Sequence, residues 1–248
     1  MSHAGYRIGV AGWGLSRAVA DRFPAGGTHL ERYAAVLPAV EINSCFYRHH
    51  RPDTYARWAA SVPEEFRFSV KLPKAITHEA RLEAWEPVLG RFLGETASLG
   101  AKLGCVLVQL PPKLALDARS ADAFFTALRA QYAGPLACEP RHETWAGDAA
   151  ESLLRAHGIA RVAADPARFP GADRPGGSDR LVYYRLHGSP EIYRSEYPAA
   201  YLGRVARELR EAAGRGAETW CIFDNTAAGA AVGNAIALMD RLMDSPGA

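Results

Sequence analysis

The sequence predicts an α/β protein built as a single (β/α)8 TIM-type barrel over residues 1–248, with parallel strands inside and helices outside. Eight short apolar runs bounded by Gly or Pro recur along the chain, each of strand length and rich in β-branched or aromatic residues. Helical patterns separate most of them, and that alternation builds a parallel sheet. Eight such units in about 250 residues is the usual size of this barrel. A doubly wound open sheet is the competing architecture, but it would carry a G-x-G-x-x-G turn after its first strand. "GVAGWGLSRA" has its glycines at 9, 12 and 14, without that spacing.

The eight strands are expected at 7–13, 39–46, 66–73, 104–111, 136–142, 160–166, 181–188 and 219–225. "THLERYAAVL" (28–37) opens with Thr28 and has Glu31 three places on, the pattern of a capping box. In "RPDTYARWAASV" (51–62), Pro52 falls where a first helical turn tolerates it. Residues 79–100 read as helical, broken in two by Pro87. Further helices are expected at 120–131, 146–157, 198–213 and 228–243, whereas 167–180 is too rich in Gly and Pro for a helix and reads as a loop. Pro140 cannot donate to a ladder, so a bulge or strand end is expected there.

Bulk numbers exclude several classes. The net charge of +2, from 29 basic and 27 acidic residues, does not suit a general polyanion binder, so nucleic acid is not an expected partner. No apolar run is long enough to span a membrane, and "MSHAGYRIGV" has no signal-peptide core. Cys45, Cys105, Cys138 and Cys221 lie in expected strands with no C-x-x-C pair, which suits reduced, buried thiols in a cytoplasmic protein.

Polar groups concentrate in the C-terminal halves of the strands. These are Glu41 and Asn43, Ser69 and Lys71, Gln109, Glu139 and Arg141, Arg185 and His187, and Asp224 with Asn225. In a (β/α)8 barrel all strand C-termini open on the face that holds the active site. Side chains two apart share a face of a strand, so Glu41 pairs with Asn43, Glu139 with Arg141 and Arg185 with His187. His142 has the other parity, and parity does not choose between Asp224 and Asn225. Desolvating an unpaired charge is costly, so charges converging from several strand ends favour a ligand site over architecture alone.

The chemistry expected of this set is anion recognition with proton transfer. Arg141, Arg185 and Lys71 would hold a phosphate, carboxylate or sulfate, while Glu139 and Glu41 exchange protons with His187 as a second candidate. Small residues in "FDNTAAGAAVGNA" and the turn "LHGSPEIY" add the phosphate-binding pattern seen after strands seven and eight of such barrels. A desolvated Lys71 would also be able to form a Schiff base. Trp13, Phe46, Tyr47, Trp145, Tyr193 and Tyr197 crowd the expected mouth, "SPEIYRSEYP" (189–198) is a candidate lid, and His49 and His50 read as surface residues. No cofactor is expected, and there is no H-E-x-x-H, G-x-S-x-G or P-loop. A divalent metal on Glu41, Glu139, His187 and Asp224, serving a nuclease-like phosphodiesterase, is the alternative. The neighbouring cations argue against it. A non-catalytic ligand-binding barrel is the third reading.

The sequence resembles the domain-of-unknown-function 72 family, bacterial and archaeal proteins with a (β/α)8 fold. The resemblance rests on "AGW", "VEINSCFYRHHRPDTYARWAASVPEEFRFSVKLPKAITH", "VLVQLPPKL", "CEPRHETW", "YYRLHG" and "FDNTAAGAAVGNA", in order and nearly end to end. It implies the barrel but supplies no reaction. It implies shared polar positions at Glu41, Asn43, Lys71, His78, Gln109, Glu139, Arg141, His142, Trp145, Arg185, His187 and Asn225. His142 and Asn225 therefore stay among the candidate substrate-binding residues, with Trp145 and Tyr193. The family often carries two asparagines after the last strand's phenylalanine, and this chain has Asp224 at the first.

Overall fold

The computed structural model describes residues 5–15 and 17–244. Its strands are β1 (Tyr6–Ala11), β2 (Ala39–Ile42), β3 (Arg67–Lys71), β4 (Leu103–Gln109), β5 (Leu136–Glu139), β6 (Ile159–Arg161), β7 (Ala163–Asp165), β8 (Gly176–Gly177), β9 (Leu181–Leu186) and β10 (Glu218–Phe223). They form one nearly closed sheet in the order β7-β9-β10-β1-β2-β3-β4-β5-β6-β8. All neighbours are parallel except β6 and the two-residue β8.

The sixth expected strand divides at Val162. Its first half, β6, pairs with β5, and its second half, β7, pairs with β9. Val162 still donates its N–H to the Cys138 carbonyl at 2.8 Å. The ring therefore closes through the chain itself, and eight staves carry nine of the ten short strands, with β8 added antiparallel to β6. Residues 167–180 form no regular helix, as expected, but fold back so that Gly177 pairs with Ala160. Gly177 has φ 67°, and a Cβ there would stand 2.4 Å from the Ile159 carbonyl oxygen, so only glycine fits.

Helices α1 (His29–Ala34), α2 (Ser44–Tyr47), α3 (Pro52–Ala60), α4 (Glu86–Thr96), α5 (Ala118–Gln131), α6 (Asp148–Ala156), α7 (Ala199–Gly214) and α8 (Ala230–Met243) lie outside the staves. The capping box of α1 forms: Glu31 N donates to Thr28 Oγ1 at 3.3 Å, and Thr28 N donates to Glu31 Oε2 at 2.6 Å. Pro52 lies in the first turn of α3. Pro87 does not break a long helix. It sits in the first turn of α4, where its missing N–H is not needed. A π-helical turn, Ala75–Glu79, precedes it, and Arg81, Leu82 and Ala84 take positive φ between the two.

Alternation along the staves sorts the core into two layers. Ile8, Val10, Val40, Ile42, Phe68, Val70, Val106 and Val108 face the helices. Ala39, Cys105, Leu107, Ala137, Ala160, Val162, Tyr183, Trp220 and Ile222 fill the barrel interior. The four cysteines are buried and unpaired. Among the described residues no helix is long and apolar enough to cross a membrane.

Gly9 faces the interior where β1 meets β2, and a Cβ there would lie 2.0 Å from the Ala39 carbonyl oxygen. Because backbone must move to admit it, Gly9→Ala should destabilise the barrel by about 3 kcal/mol. The shift in urea unfolding midpoint measures this, and a midpoint within error of the parent would show that the β1–β2 contact is not tight.

Candidate active site

Above the apolar plug the interior side chains become polar. On β9 the inward series is Leu181, Tyr183, Arg185 and then His187, and on β10 it is Trp220, Ile222 and then Asp224. The lowest polar layer is Tyr183, whose ring stacks on Trp220 at 5.7 Å. Its hydroxyl lies 3.0 Å from Glu41 Oε2 and 2.9 Å from Ser69 Oγ.

Arg185 occupies the next layer with no exposed surface. Its Nε donates to Glu41 Oε2 at 3.0 Å and its Nη2 to Glu41 Oε1 at 2.6 Å, a bidentate fork. Nη1 donates to Glu139 Oε2 at 2.6 Å, and Nη2 also reaches Asp224 Oδ2 at 3.3 Å. Burial works against this charge, but Glu41, Glu139 and Asp224 outweigh it, so Arg185 is held protonated even more firmly than usual.

Glu139 ends β5, and Pro140, which has no N–H to give, ends the ladder there as expected. The carboxylate accepts from Arg141 Nε at 2.8 Å, from Gln109 Nε2 at 3.2 and 3.3 Å, and from Arg185. His187 Nε2 lies 3.2 Å from Glu139 Oε1, and its Nδ1 lies 3.0 Å from Asp224 Oδ2. An imidazole between two carboxylates satisfies both when doubly protonated. Burial opposes the imidazolium, yet Glu139 and Asp224 raise the pKa of His187. Burial likewise opposes the charge of Glu139, but Arg141, Arg185 and His187 hold its carboxyl well below the usual range.

The rim is different. Lys71, at the end of β3, has Nζ 3.9 Å from the centre of the Phe46 ring and no ion-pair or hydrogen-bond partner among the described residues. Burial first, and Arg185 second, push its pKa down to about 8 against the pull of the three carboxylates. The Nη nitrogens of Arg141 also have no partner among the described residues, since that side chain bonds through Nε alone. His78 stands edge-on to the same Phe46 ring at 5.0 Å, with Nδ1 2.8 Å from Thr77 Oγ1. Burial, with Lys71 and Arg141 nearby, pushes the His78 pKa down to about 4, so it is neutral at pH 7. Asn43 Oδ1 is buried without a hydrogen-bond partner.

The structure thus brings together Glu41, Lys71, Gln109, Glu139, Arg141, Arg185 and His187, but it alters several roles. Arg185 commits four of its five N–H donors to carboxylates. Glu41 is fully buried, with both oxygens engaged by Arg185, so it does not reach the mouth. Glu139 is surrounded by donors that keep it ionised. His142 caps the 3-10 turn Glu143–Trp145, accepting from Thr144 N at 3.2 Å. Trp145 is buried beneath that turn, donating to the Leu114 carbonyl at 3.1 Å, and Tyr197 is likewise buried, with its hydroxyl on Asp165. Asn225 ties the 189–198 segment to α8, donating to Ser195 O at 2.8 Å and Asn234 Oδ1 at 3.0 Å. Trp13 packs edge-on to Trp58. Of the expected rim aromatics, Phe46 contacts Lys71 and Tyr193 lies edge-on to His187 at 5.9 Å, while Tyr47 is 71% exposed. His49 is on the surface as expected, but His50 is half-buried against Ser44.

His78 is the member that residue-by-residue reading missed, and Asp224 is the one that parity left open against Asn225. β10 ends in Trp220, Cys221, Ile222 and Phe223, apolar on both faces, so parity had no polar marker next to Asp224 to orient it. His78 lies past a strand end, where alternation no longer applies. The alternative metal ligands Glu41, Glu139, His187 and Asp224 surround a guanidinium, and among the described residues no three His, Cys, Asp or Glu side chains are grouped to hold a metal ion.

These shifts give the cluster an expected stability optimum. Glu139 and Asp224 have lowered folded-state values, so their contribution is complete above the ordinary carboxylate range near pH 4 and drains as pH falls. His187 has a raised value, so its contribution is complete below about pH 6.5 and drains as pH rises through the folded-state value. Unfolding midpoints should therefore peak between about pH 5 and 6.5. His187→Gln should flatten the alkaline slope, and an unchanged slope would show that His187 is not held protonated. Arg185→Met should destabilise by about 3–5 kcal/mol near neutral pH, because three carboxylates lose their shared partner. Loss of less than about 1 kcal/mol would contradict that.

The chain is similar over its whole length to solved barrels. A DUF72 family protein of Thermotoga maritima (TM1631) superposes with a TM-score of 0.81 at 24% identity, covering 96% of this chain and 99% of that one. A DUF72 family protein of Enterococcus faecalis (EF0366) gives 0.79 at 21% identity, with 96% and 95% covered. Over 86 residues, 35% of this chain, the sequence is 34% identical to the UPF0759 protein YecE of Escherichia coli, and that stretch spans only 32% of the relative's length. The family model described as "Protein of unknown function DUF72" matches residues 7–247, and the chain belongs to that family.

Proposed function

We propose that this protein is an enzyme that binds a small carboxylate- or phosphate-bearing molecule at the barrel mouth and moves protons on it. One observation carries the reading: Arg141 and Lys71 are the cations of the cluster whose terminal nitrogens the buried carboxylates leave uncommitted. Charge balance explains why. Glu41, Glu139 and Asp224 are offset by Arg185, Arg141 and protonated His187, so Lys71 is the surplus positive charge. An anion at the rim would neutralise it, and the Nη edge of Arg141 supplies directed donors.

The proton-carrying roles move outward from Glu41 and Glu139 to the rim. His78 is neutral near pH 7 and a weak base, suited to relaying protons rather than holding them, and Lys71, with a value of about 8, is able to donate one. The buried carboxylate–Arg185–His187 network fixes Arg141 and sets the local field. Asn43 and Tyr193 flank the bound molecule. A metal-assisted reading would need the carboxylates that Arg185 already occupies.

Titration of the protein with inorganic phosphate and with pyruvate, followed by calorimetry, tests this. Arg141→Ala should weaken binding at least about 10-fold, the cost of losing hydrogen bonds to a charged group. Arg141→Lys should rescue it only in part, because the fork is lost. Equal affinity in parent and both variants, each shown to be folded by circular dichroism, would overturn the proposal.

A further inference from the structure

Lys71 is one of four lysines in the chain. The others have ordinary settings. Lys74 pairs with Glu79 at 2.9 Å, Lys102 donates to the Ala59 and Val62 carbonyls at 2.7 Å, and Lys113 is exposed. Lys71 alone is buried beside carboxylates yet bonded to none of them. The acids that would tie up its amine are held by Arg185, Arg141 and His187. Its Nζ lies over the face of Phe46, 3.9 Å from the ring centre. That ring attracts an ammonium but accepts no strong hydrogen bond, so the amine's lone pair and protons stay available to a bound molecule.

The geometry points to Lys71 as an amine nucleophile, and we propose that it forms an imine with the ketone or aldehyde of a small molecule whose carboxylate or phosphate is held by Arg141. This rests on the anion-binding reading above and narrows its substrate class to carbonyl compounds. In the step, the neutral Nζ lone pair attacks the carbonyl carbon and the C=O π pair moves to oxygen. The proton lost from nitrogen is passed to that oxygen to give a carbinolamine. A second proton transfer expels the oxygen as water and leaves the C=N bond, so amine plus carbonyl gives imine plus water with no oxidant or reductant. His78, which shares the Phe46 ring with Lys71, is placed to carry those protons. Protonated, the imine restores the positive charge that the Lys71 ammonium otherwise places at the rim, opposite the anion of the substrate. It then draws electrons from a C–H or C–C bond next to the former carbonyl, the activation used in lyase and isomerase chemistry.

Burial beside a second cation is the setting that makes a lysine amine nucleophilic near neutral pH, and Lys71 has both features. Phe46 and the neighbouring Arg185 supply what a surface lysine lacks.

Borohydride trapping tests the proposal on the intact protein. The full chain is incubated with pyruvate or with dihydroxyacetone phosphate, reduced with sodium cyanoborohydride, digested and mapped by mass spectrometry. A reduced adduct should form on Lys71 at least ten-fold faster than on Lys113, saturate with carbonyl concentration and be suppressed by excess inorganic phosphate. The two probes distinguish a 2-oxo carboxylate from a phosphorylated ketone as the preferred class. Lys71→Arg, folded by circular dichroism, should lose the fast adduct and leave labelling of Lys74, Lys102 and Lys113 unchanged. Labelling of Lys71 no faster than Lys113 with either probe overturns the imine. If calorimetry on the same sample still shows Arg141-dependent anion binding, the imine alone has failed, whereas absence of binding removes the anion site as well.

Discussion

Arg185 holds a full positive charge at the centre of the barrel with no contact with water. Removing a guanidinium from solvent costs several kcal/mol, roughly, and its N–H donors need acceptors. The surrounding staves answer with Glu41 from β2, Glu139 from β5 and Asp224 just past β10. Three carboxylates around one guanidinium then need further cations, and Arg141 and His187 provide them. The polar interior is thus one electrostatic unit spanning strands far apart in sequence.

That unit determines what the mouth can do. It encloses Glu41 and holds Glu139 ionised. It leaves Arg141 with one edge committed and one edge open. It also leaves Lys71 as surplus charge in a crowded, partly desolvated rim, which is why its amine holds its proton less tightly than usual. The mouth therefore carries Lys71 and the Nη edge of Arg141, with Phe46 and His78 beside Lys71.

Much of this was legible in sequence because barrel geometry converts strand position into location. Glu139 and Arg141, two apart at a strand end, were read as inward and adjacent, and they are bonded to each other. Pro140 marked the end of its strand for the reason expected, its missing donor. Where the periodic signal was absent, the reading failed. Asp224 follows four residues apolar on both faces of β10, so nothing beside it in the pattern favoured it over Asn225. Trp145 looked like a rim aromatic because it follows a polar run, but a 3-10 turn carries it into the core. Pro87 was read as a break, although the same lack of an N–H makes it suited to a helix start.

The sequence by itself determined the barrel, the end of it that is polar, and the residue types that meet there, because alternation and strand length are local properties. Only the tertiary structure decided which charges cancel. Glu41 and Arg185 are 144 positions apart and become a bidentate pair only when β2 and β9 face each other across the interior. No local pattern encodes that distance. Once those partners are matched, the open edge of Arg141 and the unpaired amine of Lys71 follow as what remains.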